Sequence, residues 1–459
     1  MSILPHAYQS KAKEALKLAM PIIAGQLGQI LMGFFDTVQI GGLGAEYIAG
    51  SGFGNNVFWI INLLGMGILF AVSTLVSEAC GENHKWKAIG IFNSGVKTAL
   101  LLAVVFTFLT WVCMKYIHLF RQETIVHEIA LRYLNVLLPS IVFIFLFTAC
   151  KQLLDGMGRT TIGMYITIGG LLLNIFLNWV LIYGKLGFPR MEVEGAALAT
   201  LIARAFMTIS FIVIIWRDKQ IKALRNEFAS NTFIFGTGKS EEKNYMLPIL
   251  RIGIPAGLQF FFEVAAFGVA QIMSGWIGVK EQAAHLVAIG LASITFMVIT
   301  GISAAGRILT GYAYGANDRE GIRIAGNTVF GMTLAIEIVF AIVFLAFNNF
   351  FPTLYTNDRE VIIIAATMLV FAALFQISDG LQAAASGALR GIQDVKVPMV
   401  IALFSYWGIM VPLCYVLTFN AGMGLKGIWI GFIIGLTVAS VLLLVRFWWM
   451  VSRVKFEEV

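Results

Sequence analysis

The chain has 459 residues, 59% hydrophobic and only 12% charged, with a mean hydropathy of +0.85 and a formal net charge of +7. A soluble chain carries about 25% charged residues, so the composition excludes a string of soluble domains and marks a polytopic membrane protein. The basic residues are scattered through short loops rather than gathered in a patch, so no nucleic-acid partner is expected.

Apolar segments of about 20 residues or more, each long enough to cross a bilayer as a helix, recur twelve times. They fall near 15–40, 47–76, 88–114, 125–150, 160–184, 193–216, 247–277, 282–306, 324–351, 361–388, 397–419 and 424–451. The polar stretch 217–246 interrupts the series and divides the chain into a six-helix lobe (1–216), a cytoplasmic linker (217–246) and a second six-helix lobe (247–459). The predicted fold is therefore all-α, with twelve transmembrane helices in two halves. Cys80, Cys113, Cys150 and Cys414 lie far apart with no CxxC spacing, and read as ordinary membrane-helix residues.

In the first segment, Gln26, Gln29, Gly33 and Asp36 follow at spacings of three, four and three, which places amides and carboxylate on one helix face. Pro21 invites a kink in the same helix. The fifth segment carries Asn174 and Asn178 on one face, and the sixth carries Thr200 and a deep Arg204. Carboxamide and hydroxyl oxygens suit a hard monovalent cation, although membrane Asn also serves plain interhelical bonding.

The seventh segment holds Glu263 behind Phe260, Phe261 and Phe262. A carboxylate at that depth costs several kcal/mol unless it faces a cavity, a partner or an ion. In the tenth segment Gln376, Asp379 and Gln382 form a polar stripe, and Asp379 lies too far from either end to snorkel. Two deep acids in one half predict a shared Na⁺ or H⁺ site. Glu337 in the ninth segment is also deep and has no partner legible in sequence. His285 reads as a packing residue near a helix start. Asp358, in the outer loop 355–360, fits either a cation-attracting mouth or a helix cap.

With both termini cytoplasmic, 22 of the 32 Lys and Arg fall on the inner side, seven outside and three within helices, which predicts the N-in, C-in orientation. The halves repeat. At an offset of 234, Pro21 matches Pro255, Gly44 matches Gly278, Gly81-x-Asn83 matches Gly315-x-Asn317, and Asn93 matches Asn327. At 231, Arg159 matches Arg390. Six spans per repeat make the halves parallel, as in transporters that bind substrate and ion near the midplane.

Several stretches together resemble the multidrug and toxic compound extrusion (MATE) transporters, and within them the NorM-like bacterial branch. They are Met32-Gly33-Phe34-Phe35-Asp36-Thr37, Leu173-Asn174-x-x-Leu177-Asn178-Trp179, Phe261-Phe262-Glu263-Val264, Ala283-Ala284-His285, Ser386-Gly387-Ala388-Leu389-Arg390-Gly391 and 431–436. The resemblance implies a V-shaped, two-lobe antiporter of the bacterial inner membrane that exports organic cations in exchange for Na⁺ or H⁺. It places Glu263 and Asp379 in a second-lobe cation site and Asp36, Asn174 and Asn178, with Thr200 beside them, in a first-lobe cluster. It puts Asp358 of the outer loop toward the substrate, and Asp36, Gln29 and Phe261 are further candidates for substrate contact. Some members have Tyr where this chain has Phe375, which leaves the ligand set open.

No cofactor is expected beyond the coupling ion: GxxxxGK[ST] is absent from the sequence, so ATP is not expected to drive it directly, and no enzymatic bond-making is expected because no His/Asp/Glu metal or nucleophile cluster is legible. The expected partners are the lipid bilayer and organic cations, with the chain acting as a monomer. The alternative reading is an exporter of the same superfamily that moves a lipid-linked or other endogenous metabolite.

Overall fold

The computed structural model describes residues 6–120, 122–234 and 244–453, and these form helices and short connections with no strand among them. The helices are α1 (His6–Gly41), α2 (Ala45–Gly81), α3 (Lys87–Lys115), α4 (Thr124–Leu137), α5 (Ser140–Gly156), α6 (Thr160–Tyr183), α7 (Glu192–Arg217) and α8 (Lys219–Ile234). They continue as α9 (Met246–Ile277), α10 (Val279–Gly315), α11 (Arg319–Ala346), α12 (Arg359–Gly391), α13 (Lys396–Asn420) and α14 (Leu425–Arg453). Among the described residues eleven are long and apolar enough to cross a membrane, and twelve if α4 and α5 count as one span. That pair, expected as one straight helix, bends by 53°. Pro139 stands at the break, where it cannot donate the backbone bond that would continue α4.

The polar linker contains a helix, α8. Asp218 Oδ1 accepts from the Gln220 and Ile221 amides at 3.0 Å each and so caps α8. Its Oδ2 accepts from Arg159 Nη2 at 2.6 Å, which holds the Asp218 carboxyl below the usual aspartate range. This contribution to stability is present above the unfolded value, about 3.9, and is lost as pH falls through the lower folded one. Of the basic residues used for orientation, Arg121, Lys239, Lys243 and Lys455 lie outside the described residues.

The chain forms two compact units, one of Ala24–Gly257 and one of Met1–Ile23 with Leu258–Val459. Both divisions fall inside a helix, and each falls two residues past the matched proline, Pro21 in α1 and Pro255 in α9. A proline lacks the N–H that would bond one turn back, so each is a natural point for a helix to change course.

In the first unit, Phe58, Phe106, Phe145, Leu134 and Ile141 are buried together. In the second, Phe375, Trp429 and Phe432 pack edge-on or tilted at 5.6–6.0 Å between ring centroids. Close helix approach in that unit depends on small residues. A Cβ at Gly431 would lie 2.5 Å from Cys414 Sγ and one at Gly427 2.6 Å from the Leu417 carbonyl carbon, so one face of α14 rests directly on α13. In α13, Pro412 would press its ring on the carbonyl of Gly408, and the helix widens to π geometry over Phe404–Met410. Ser303 Oγ donates to the Ala383 carbonyl at 2.6 Å and Thr310 Oγ1 to that of Ala388 at 3.1 Å, which sets the register of α12 on α10.

The repeat has a conformational reason. Asn83 and Asn317 both take left-handed backbone angles, φ 61° and 55°, just past the ends of α2 and α10, where Asn is tolerated better than most residues. One sequence match is corrected. Arg159 lies in the turn after α5, whereas Arg390 is inside the last turn of α12. The helix ends pair Gly156 with Gly391, and the positive-φ residues pair Gly158 with Gln393, an offset of 235. Arg159 then stands opposite Asp394, which accepts from Arg446 at 2.6 Å. Each half thus has one ion pair at this turn, with the signs exchanged.

Asn317→Val should destabilise the protein by about 1–2 kcal/mol, because a β-branched residue resists positive φ, whereas Asn317→Gly should be neutral or stabilising. Thermal unfolding in detergent micelles checks both. Equal stability of the two variants would remove the conformational reason for the repeated Asn.

Candidate cation-coupling sites

In the first unit, the polar residues expected on α1, α6 and α7 meet. Asp36 Oδ1 accepts from Asn178 Nδ2 at 2.5 Å, and its Oδ2 accepts from Thr200 Oγ1 at 3.3 Å. Asn174 Nδ2 donates to Thr200 Oγ1 at 3.3 Å, and Asn178 Nδ2 also reaches Asn174 Oδ1 at 3.4 Å. Asn178 Oδ1 is buried without a hydrogen-bond partner. Rotating an amide exchanges its NH₂ for its oxygen, so this frame can serve either as donors to the carboxylate or as oxygen ligands beside it. Two bonds set the C-terminal end of α1: Gln39 Nε2 donates to the Ile175 carbonyl at 3.3 Å and Tyr183 OH to the Gln39 carbonyl at 2.6 Å. Arg204, one turn after Thr200, donates to Ser140 Oγ at 2.7 Å with its guanidinium 4.8 Å from the Phe58 ring centroid. Its charge acts on Asp36 without touching it.

The second unit holds the larger group. Glu263 on α9 and Asp379 on α12 are both buried, at 7% and 6% exposure. Glu263 Oε2 accepts from Gln382 Nε2 at 3.2 Å, and the same nitrogen donates to Tyr406 OH at 2.7 Å. Asp379 Oδ1 has no hydrogen-bond partner. The third residue of the stripe, Gln376, accepts from Thr295 Oγ1 at 3.2 Å. Glu337 on α11 joins this region at 1% exposure. Its carboxylate lies against Gly380, where a Cβ would come within 2.6 Å of Oε1, and its Oε2 is unpartnered. The charges of Glu263 and Glu337 both act on Asp379.

Three acids in an apolar bundle, two with unpartnered oxygens, leave negative charge that a cation or protons must balance. Among the described residues no three His, Cys, Asp or Glu converge as ligands of one metal ion. The residues do fit a monovalent ion, for which one or two carboxylates and a few neutral oxygens suffice.

The remaining candidates lie apart from these bonds. Gln29 and Phe261 are half-buried on α1 and α9. Asp358 is exposed, and its Oδ1 accepts from the Glu360 and Val361 amides at 2.9 and 3.4 Å, so it caps α12. His285 is buried against Trp429 and Phe432.

The family model described as MatE matches residues 21–180 and again 255–416, once in each half and starting at each of the two prolines. The chain belongs to the MatE family. It is 30% identical over 448 residues to "Multidrug resistance protein NorM" of Photobacterium profundum, covering 97% of this chain and 96% of that one. It is 32% identical over 456 residues to "Probable multidrug resistance protein NorM" of Agrobacterium fabrum, covering 97% and 95%. Among solved structures, the eukaryotic MATE transporter AtDTX14 superposes with a TM-score of 0.85 at 20% identity, covering 96% of each chain. A MATE described in the bent conformation gives 0.85 at 23% identity, covering 98% of each. At these identities the structures establish the fold.

In the second-unit group, Tyr406 escaped the sequence, and Glu337 was legible only as a deep acid without a partner. Phe375, where some relatives were expected to have a tyrosine, is packed among Phe267, Trp429 and Phe432. A hydroxyl arrives instead from Tyr406, in the π stretch of α13. Glu337 had no legible partner because Gly380, which makes room for it, lies on another helix.

Tyr406→Phe should leave folding intact and weaken the coupling ion about five- to tenfold, the worth of one buried hydrogen bond of about 1–1.5 kcal/mol. The half-saturating ion concentration for efflux measures this. An unchanged value would remove Tyr406 from the site.

Proposed function

We propose that this multi-pass membrane protein is a secondary antiporter that exports organic cations, including drugs, in exchange for Na⁺ or H⁺. The observation that carries the reading is the pair of acidic groups among the helices, half-buried Asp36 with buried Asn174, Asn178 and Thr200, and buried Glu263 with Asp379, Gln382 and Tyr406. Buried carboxylates in membrane helices cost several kcal/mol and persist where they bind ions, protons or cationic substrate. The names of the relatives, multidrug resistance proteins, point the same way. The acids also weigh against a lipid-linked or anionic cargo, for which lysines and arginines would line the path.

Glu263 and Asp379 take the coupling ion, with Na⁺ favoured over H⁺ because amide and phenol oxygens accompany the acids. Asp36 carries the exchange in the first unit, and Gln29, Phe261 and Asp358 contribute to substrate contact. The protein works as a monomer in the bacterial inner membrane, both termini cytoplasmic, without catalysing bond-making.

Glu263→Gln and Asp379→Asn should each abolish coupled efflux while expression and folding persist. The assay is dye efflux from proteoliposomes under separately imposed Na⁺ and H⁺ gradients. Near wild-type transport by either variant would refute the shared site. Protons compete with Na⁺ for the same carboxylates, so calorimetric Na⁺ binding should weaken as pH falls. No Na⁺-dependent heat at the higher pH would assign the role to H⁺.

Asp36→Asn should still bind an organic cation weakly but lose the pH dependence of its release, because the titrating group is gone. A variant with the wild-type pH profile would leave Asp36 a structural residue.

A further inference from the structure

Arg390 takes no part in the coupling reading, yet it is a buried charge, 7% exposed, in the last turn of α12. Its Nη2 donates to Gln259 Oε1 at 3.1 Å, and its guanidinium lies 5.2 Å from the Phe260 ring centroid. From Gln259 the bonding continues unbroken. Gln259 Nε2 donates to Ser386 Oγ at 2.8 Å, Ser386 Oγ to Gln382 Oε1 at 3.3 Å, and Gln382 Nε2 to Glu263 Oε2 at 3.2 Å. Every donor points the same way, from guanidinium to carboxylate.

That direction has a physical consequence. Each amide and hydroxyl dipole is aligned with the field between the two charges, so the bonds strengthen one another. Gln259, Ser386 and Gln382 are each 2% exposed or less, so water does little to screen the pair. The Arg390 charge acts on Glu263 although the two side chains are separated by three others. The other charged or titratable groups around Glu263 are Asp379 on α12, Glu337 on α11 and Tyr406 on α13. Among the described residues, Arg390 is the cation whose charge acts on Glu263.

The other half shows what happens without it. In the helix-end register Asp155 stands opposite Arg390, and it is neutralised by Lys151 at 2.7 Å, one turn away. In the 234 register the place of Glu263 is held by Gln29. At the positions equivalent to Glu263 and Arg390, the first half has neither the carboxylate nor the guanidinium.

We propose that Arg390 is the built-in counter-charge of Glu263, transmitted through Gln259, Ser386 and Gln382, and that it holds the affinity for the coupling ion low enough for release. The proposal rests on the coupling role of Glu263. Ion and guanidinium draw on the same negative charge. With Arg390 in place the carboxylate remains tolerable once the ion has gone. Without it, ion loss leaves a bare buried anion, so the ion binds more tightly and leaves more slowly. Arg390 is a positioning and tuning residue, not an ion ligand.

The test is efflux from proteoliposomes containing the full chain, with the ion varied as Na⁺ at fixed pH in one arm and as a proton gradient without Na⁺ in the other. In the arm that drives wild-type transport, Arg390→Met should lower the half-saturating ion concentration roughly tenfold and reduce the maximal rate. Arg390→Lys, which keeps the charge, should stay near wild type. Ser386→Ala cuts the series without removing a charge and should shift half-saturation the same way, about two- to threefold. It also serves where Arg390→Met does not fold. Unchanged or raised half-saturation in Arg390→Met or, failing that, in Ser386→Ala would overturn the proposal, as would Arg390→Lys behaving like Arg390→Met. Glu263→Gln separates the two readings. If it retains ion dependence, the coupling role of Glu263 fails; if it loses ion dependence while Arg390→Met leaves half-saturation unmoved, only the counter-charge fails.

Discussion

An ionisable side chain among membrane helices must find its compensation within the protein, because hydrocarbon offers none. Much of the polar architecture follows from that constraint. Lys151 and Asp155 answer each other at 2.7 Å one helical turn apart. Arg204 is met by the Ser140 hydroxyl and the Phe58 ring. Asp36 receives donors from Asn178 and Thr200. Glu263, Asp379 and Glu337 are the group that local bonding leaves short, with unpartnered oxygens on the latter two. Such an imbalance is tolerable where mobile cations complete it, and that separates these acids from structural ones.

Compensation requires that helices approach closely, and apolar composition alone does not achieve this in lipid, where tails are as greasy as leucine. Gly427 and Gly431 bring α14 onto α13 and so place the π stretch that carries Tyr406. Ser303 and Thr310 fix α12 against α10, and with it the depth of Asp379 and Gln382. Gly380 admits the Glu337 carboxylate beside Asp379. The small residues therefore belong to the coupling chemistry as much as to packing.

Spans and faces were legible in sequence because each depends on a local rule. Hydropathy over about 20 residues locates a crossing, and spacings of three and four place Asn174 with Asn178, or Gln376 with Asp379 and Gln382, on one face. What stayed hidden depends on other helices or on broken periodicity. Tyr406 sits where α13 departs from 3.6 residues per turn, so its direction cannot be read from spacing. The 53° bend between α4 and α5 looked like one apolar run, because hydropathy does not register a proline's missing donor. The match of Arg159 with Arg390 agreed in residue type, but the helix ends show a different register. The helix after Asp218 lay within a stretch whose polarity argued for a linker, and its cap immediately follows the last residue of α7.

The two halves share a plan and differ in charge, and that difference bears on how exchange could be coupled. A ligand shifts an equilibrium between access states only as far as its affinity differs between them. A carboxylate balanced wholly by fixed neighbours would offer an ion little, and one with no fixed partner would hold the ion too firmly to let go. In the first half, the Asp36 carboxylate meets neutral donors and a remote guanidinium, a setting that favours a single exchangeable charge. In the second half, one of several acids, Glu263, is linked to a distant guanidinium through aligned dipoles. Gln259, the first amide of that series, lies two residues past Gly257, where α9 passes from one compact unit to the other. A change in the course of α9 at that point would therefore act first on the link between Arg390 and Glu263. The affinity of the ion site and the conformation of the helix that carries it would then change together, which is the condition that antiport requires.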